Sequence, residues 1–207
     1  MSIKEIFPTQ IGIYSLSQCG IDNLPDTNSY LEGSDVTSES ITKQFHGKNI
    51  LEQPELCDLK HFILDSGKHF FINTFGCTNP IMLTNSWLNI GYKSSSQPLH
   101  NHSNSTISGT FYFSFDSVLH PSIVFKNPRE SGSFSTVEDF SILSTQFNSS
   151  FYRPTYKEYD LLLWPSYLHH GFFATCEPST TDKPRISLSF NMCIERTLLH
   201  PYKIFRK

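Results

Sequence analysis

From Pro80 onward the sequence breaks into short apolar runs separated by Gly, Pro, Asn and Ser, and this texture limits the fold more than any other feature. The runs lie near residues 81–92, 97–102, 107–117, 121–126, 160–164, 169–176 and 184–195, and they are rich in Phe, Tyr, Ile and Val. Such residues suit a pleated, half-buried surface. Several short strands bury their apolar faces by stacking two sheets or by closing on themselves, so the expectation is a β-sandwich or jelly roll. One helix should buttress it. Residues 54–75 place Leu59, Phe62, Ile63, Phe70 and Phe71 at helical spacing, with Pro54 suited to a first turn and Gly76 to a left-handed end.

The remaining segments read less regularly. Residues 6–16 fit an opening strand, and residues 20–53 a polar loop with a short helix near Ser38–Phe45. The serine-rich stretch 130–158 is long for a sandwich connection and reads as a lid or a surface insertion. A chain of 207 residues with 17% charged and 14% aromatic residues has the size and composition of one folded domain. We therefore divide residues 1–207 only informally, into an N-terminal strand and helix region (1–80) and a jelly-roll core (81–207).

Composition also narrows function. The formal net charge is −3 and no run of Lys and Arg is long enough to follow a phosphate backbone, which argues against nucleic acid as a partner. No apolar stretch reaches the length of a membrane span, and the opening MSIKEIFPTQ lacks the apolar region of a signal peptide. Cys19, Cys57, Cys77, Cys176 and Cys193 are scattered, odd in number and form no CxxC. That pattern fits reduced thiols in a cytoplasm.

Nine histidines in so weakly charged a chain call for an account. His100 and His102 stand two apart, so on a strand they share a face and could share a transition metal. Chance alone supplies such a pair at this histidine content, so the pair needs a third ligand from elsewhere. His169 and His170 follow the turn-like Trp164-Pro165-Ser166. Neighbours on a strand face opposite sides, so only one should point inward. Two ligands from an early strand and one from a late strand match a site at a barrel mouth, with positions left open for substrate and oxygen. Polar-face histidines without metal remain the alternative. His46, His61, His69, His120 and His200 read as surface or structural residues.

The last core run, RISLSFN, alternates apolar Ile186, Leu188 and Phe190 with polar Arg185, Ser187, Ser189 and Asn191. One face should be dry and the other turned to water or a ligand cavity. A guanidinium beside a hydroxyl on such a face is a carboxylate clamp, because Arg presents a planar fork to two oxygens. An exposed Arg on a solvated sheet is the plainer reading.

Taken in order, HNHSNSTISGTFYF, FKNPRE, LLLWPSYLHHGF and PRISLSFN form a specific set, and IFPTQIGIY and SWLNIGYKSSSQPLHNH accompany it. The chain resembles the 2-oxoglutarate/Fe(II)-dependent oxygenases of bacteria and their phages, relatives of prolyl-4-hydroxylases. The resemblance covers most of the chain and is weakest over 20–60 and 130–158. It implies a mainly β double-stranded β-helix (a cupin-like jelly roll) with flanking helices. It also implies a dioxygenase using Fe(II), 2-oxoglutarate and O2. The product would be a hydroxylated peptide residue, prolyl-like, or a small metabolite, with release of succinate and CO2. The competing functions are a three-His cupin-like metalloprotein that does not use 2-oxoglutarate, and a jelly-roll binding protein without catalysis.

By the same resemblance His100, His102 and His170 hold iron and act in catalysis, and Arg185 with Ser187 binds the far carboxylate of 2-oxoglutarate. Tyr112 and Asn89 lie on strands that supply further co-substrate contacts. Arg129, Trp87 and Trp164 are candidates for the substrate entrance. The aromatic residues Phe111, Phe113, Phe115 and Trp164 are barrel walls or plain core. His102 stands where the wider superfamily usually has a carboxylate, and neither Asp116 nor Asp160 has the HxD spacing. The glycine that usually precedes the WPS strand is replaced by Tyr159 or Asp160. The expected setting is the cytoplasm (the host's, for a phage protein), with a small-molecule or peptide substrate and an oligomeric state, homodimer included, that sequence leaves open.

Overall fold

A computed structural model of the chain describes residues 8–18, 24, 43–45, 49–91, 95–129, 149–174 and 183–195. Ten strands run through them: β1 Gly12–Ser15, β2 Lys43–Phe45, β3 Ile81–Gly91, β4 Gln97–His100, β5 Ile107–Ser114, β6 Val124–Lys126, β7 Phe151–Tyr152, β8 Asp160–Pro165, β9 His170–Phe172 and β10 Arg185–Ile194. They form a six-stranded sheet in the order β1-β8-β5-β10-β3-β2 and a four-stranded sheet in the order β4-β9-β6-β7. The pairings are antiparallel. Two facing antiparallel sheets with this crossover order are the expected jelly roll.

The helix, α1 Cys57–Phe75, follows a 3-10 turn at Pro54–Leu56. Leu59, Phe62, Ile63, Phe70 and Phe71 are all buried on one side of it. Gly76 ends it with φ 64°, its N–H bonded to Ile72 O at 2.9 Å. Left-handed backbone is open to glycine without the Cβ clash other residues incur.

One parity rule sorts the large sheet. Ile107, Phe111, Phe113, Leu161, Leu163, Leu88, Ile186, Leu188, Phe190 and Met192 join the core against α1. The intervening residues of the same strands turn to the other face. Tyr112, Leu162 and Trp164 pack there with Phe115, Ile123, Phe125, Tyr156 and Leu168. Phe111 and Phe113 therefore belong to the helix-side core and do not wall the barrel. Strand alternation decides this, because both share the parity of Ile107.

Other boundaries moved. The described end of the expected helix at Ser38–Phe45 is strand β2, which covers the edge of β3 through Lys43↔Ile90, Gln44↔Asn89 and Phe45↔Leu88. An open strand edge is satisfied by backbone pairing whatever the local propensity. The run 97–102 ends its strand at His100, and the opening strand is confined to Gly12–Ser15. Of the expected lid, residues 130–148 lie outside the described set, and Phe151–Tyr152 pairs with β6. No described helix is long and apolar enough to cross a membrane.

Candidate metal centre

The register of the large sheet builds the cavity in rows. Asn191 of β10 lies between Asn85 and Ser108, Ser189 between Trp87 and Thr110, and Ser187 between Asn89 and Tyr112. Arg185 follows opposite Gly91. These polar residues occupy the inner face because Ile186, Leu188 and Phe190 occupy the outer one. All of these polar residues but Asn85 and Asn191 line a cavity bounded on its far side by Gln97, His100, His170 and Phe172 of the small sheet.

His100 and His170 meet as a register pair between β4 and β9. Gly171 makes that approach possible. A Cβ there would lie 2.6 Å from Gln97 O and 3.0 Å from Pro98 O. His102 sits just beyond β4, and its N–H donates to Ser166 O at 3.0 Å. The ring centroids are 4.4 Å apart for His100–His170, and 5.2 Å for each pair that includes His102. One ligand nitrogen from each ring lies within 4.8 Å of the others. His169, next in sequence to His170, is exposed, as alternation requires.

These rings suit a metal chemically. Burial, with the positive potential of His100 second, lowers His102 from 6.5 to about 4. Burial also lowers His170 to about 3, with further lowering from the other histidines. Both are neutral at pH 7 and keep a lone pair for coordination. His100 Nδ1 faces Pro98 O at 2.9 Å and His170 Nδ1 faces Leu168 O at 3.0 Å. A carbonyl only accepts, so in each ring Nδ1 carries the proton and Nε2 is left to bind. The donor set therefore fits a divalent transition metal with three imidazole ligands.

Arg185 is buried, with its guanidinium 4.2 Å above the Phe172 ring and 5.3 Å from that of Tyr112. It donates to Tyr112 Oη at 3.4 Å, but its Nε has no partner. Among the described residues no carboxylate pairs with it. A buried cation without a counter-ion is costly, so this position can receive an anionic group. Trp87 Nε1, Trp164 Nε1 and Asn89 Oδ1 are likewise buried without partners in the residues that line the cavity.

Nine of the ten residues singled out from sequence line this cavity: His100, His102, His170, Arg185, Ser187, Tyr112, Asn89, Trp87 and Trp164. Arg129 does not. It follows β6 in a turn set by Asn127 Oδ1, which accepts the Arg129 N–H at 2.9 Å, and borders a separate groove with Lys126 and Tyr152. Asp116 and Asp160 spend oxygens on local backbone N–H groups, at Val118 and Leu119 and at Lys157. Neither joins the imidazoles. His120 is structural: Nδ1 accepts the Asp116 N–H and Nε2 donates to Lys183 O, both at 2.9 Å. His69 bonds Tyr14 Oη, and His61 lies on α1 beside Cys57. His46 and His200 lie outside the described residues. Gln97, Phe172, Ser108 and Thr110 line the cavity without having been singled out. Strand alternation from Tyr112 would have found Ser108 and Thr110. Gln97 and Phe172 depend on the second sheet.

Tyr159 is the described non-glycine residue with positive φ, 66°. It immediately precedes β8, in left-handed backbone that glycine adopts most readily. Its N–H donates to Tyr112 O at 2.8 Å and its carbonyl accepts the Leu16 N–H at 3.1 Å.

A protein-family model described as "Putative 2OG-Fe(II) oxygenase" matches residues 85–191, just over half the chain. The sequence has no match among curated proteins. Among solved structures, the fold is similar to HygX from Streptomyces hygroscopicus, crystallised with nickel and 2-oxoglutarate, at TM-score 0.56 and 13% identity over 90% of this chain and 83% of that one. It is also similar to SnoN, a non-heme alpha-ketoglutarate-dependent epimerase from nogalamycin biosynthesis. There the TM-score is 0.54 at 10% identity, over 81% and 70% of the two chains. An oxidoreductase of the 2OG-Fe(II) oxygenase family from Burkholderia pseudomallei aligns at TM-score 0.46 and 12% identity over 74% of this chain. The chain spans 63% of that protein's length. At such identities the likeness is one of fold, the jelly roll.

Proposed function

The chain belongs to the 2OG-Fe(II) oxygenase family, and on that premise we propose that it is an Fe(II)- and 2-oxoglutarate-dependent dioxygenase that hydroxylates a peptide residue of prolyl type or a small metabolite. The observation that carries this is the sharing of one cavity by three imidazoles and a buried Arg185 that pairs with no carboxylate among the described residues. Fe(II) with 2-oxoglutarate supplies oxygen activation for C–H hydroxylation, with succinate and CO2 as co-products. His100 and His170 would hold the metal through Nε2, with His102 as the third ligand. Arg185, whose guanidinium lies over the rings of Phe172 and Tyr112, binds the far carboxylate, with Ser187 and Tyr112 as hydroxyl partners in the same row. Asn89, anchored on Ser189 Oγ at 2.7 Å, lies in the same row; with its carboxamide turned so that Oδ1 accepts from that hydroxyl, its NH2 group donates to the ligand's oxygens. Trp87 and Trp164 flank the histidines, 5.9 Å from His102 and 4.7 Å from His170, and keep water from the reacting centre. The proposed setting is a cytoplasm, supported by the free thiols of Cys57, Cys77 and Cys193.

Anaerobic titration with Fe(II) and 2-oxoglutarate tests this. A visible charge-transfer band should appear in the wild type and be lost in His170→Ala. In Arg185→Ala its midpoint should move to much higher 2-oxoglutarate. Metal binding with no response to 2-oxoglutarate would turn the reading to a three-His metalloprotein of another kind. Oxygen-dependent succinate release then reports turnover, and screening peptides against metabolites for its stimulation identifies the substrate class.

A further inference from the structure

We infer that Asn191 is the positioning residue that sets the tautomer of His102, and so completes the three-imidazole centre. The inference rests on the metal reading above. His100 and His170 have backbone carbonyls to hold their Nδ1 protons. The Nδ1 of His102 instead faces the carboxamide of Asn191, with Nδ2 at 3.4 Å.

The two ends of a carboxamide have nearly the same shape, so the hydrogen-bond network decides its orientation. Here the network accepts either. One end of Asn191 meets Ser108 Oγ at 2.8 Å and Ser105 Oγ at 3.3 Å, and hydroxyls accept as readily as they donate. The other end meets Asn85 at 3.0 Å, itself a carboxamide beside the Thr84 hydroxyl at 3.1 Å. Turning both amides keeps each contact and presents Asn191 Oδ1 to His102. A His102 that ligates through Nε2 carries its proton on Nδ1, and Asn191 Oδ1 is then the acceptor that proton requires.

The same cluster holds the backbone of His102. Ser105 and Ser108 reach Ser166 Oγ at 2.7 and 2.8 Å, and Ser166 O takes the His102 N–H. Main chain and ring are thus fixed from one buried group of side chains, anchored where β10 breaks register between Asn191 and Met192.

The test is Co(II) binding, followed by its visible bands without 2-oxoglutarate. Asn191→Leu should weaken affinity by about 10- to 100-fold. Asn191→Asp, which keeps the acceptor, should bind at least as tightly as the wild type. Nitrogen-15 NMR of the Zn(II)-loaded wild type should show His102 bound through Nε2 with a proton on Nδ1. That measurement decides the matter even if Asn191→Leu fails to fold. Unchanged affinity in a folded Asn191→Leu, or coordination through His102 Nδ1, overturns the role of Asn191 alone. A wild type that binds no Co(II) overturns the metal centre and this inference with it.

Discussion

Gly171→Ala tests whether the metal centre depends on how closely the two edge strands approach. Residue 171 follows His170 on β9, and its missing Cβ faces backbone: Gln97 O at 2.6 Å and Pro98 O at 3.0 Å. Backbone of a paired strand cannot swing aside as a side-chain tip can. Gln97 O would have to retreat by 0.4 Å to reach 3.0 Å, and by 0.8 Å to reach ordinary contact at 3.4 Å. Gln97 belongs to β4, the strand that ends at His100, and His100 pairs with His170. Any such retreat therefore opens the distance between two of the three ligands. Metal–ligand distances tolerate only about 0.2 Å. Co(II) affinity should fall at least about tenfold, while overpacking costs about 1–3 kcal/mol of stability. Isothermal titration with Co(II) and a thermal melt measure the two effects separately. Wild-type affinity in Gly171→Ala would refute the argument, because the close approach would then be irrelevant to the ligands.

Arg185→Lys should bind metal like the wild type yet need far more 2-oxoglutarate for the charge-transfer band, since an ammonium lacks the planar fork; equal midpoints would argue against the clamp. The metal-free protein should lose stability as pH falls below 6.5. Above that value folded and unfolded chains both hold neutral imidazoles, and below it the unfolded chain takes up protons that buried His170, lowered to about 3, refuses. At pH 5 His170 alone accounts for about 2 kcal/mol, with a smaller contribution of the same sign from the partly exposed His102. Urea melts between pH 7 and 4 check this, and a flat profile contradicts it. Tyr159→Gly should stabilise by about 1 kcal/mol, because a left-handed backbone costs an L-residue about 1–2 kcal/mol that glycine avoids; a destabilised variant would mean that the Tyr159 side chain contributes more than its backbone costs.

Much of the site could be read in the linear order of residues. The alternation of RISLSFN assigns Arg185, Ser187, Ser189 and Asn191 to one face, of which the first three line the cavity and Asn191 borders His102. The helical spacing over 54–75, with Gly76 behind it, locates α1 and its buried side. Alternation also separates His170 from exposed His169. Each of these follows from a period of 2 or 3.6, which depends only on neighbours in the chain.

What the chain order left undecided depends on partners distant in sequence. Lys43–Phe45 is a strand because β3 offers it an edge. Phe111 and Phe113 face α1 because the sheet presents that parity to the helix. Arg129, in a motif adjoining the core, lies beside another groove because the Asn127 turn carries the chain away. Sequence by itself determined the residue types, their alternation and thus which side chains share a face. Only the tertiary structure brought His100 opposite His170, set the carboxamide of Asn191 against His102 and buried Arg185 without a counter-ion among the described residues. The physical reason is that a strand specifies its faces locally, whereas distances across two facing sheets are set by register and, between β4 and β9, by the close approach that Gly171 permits.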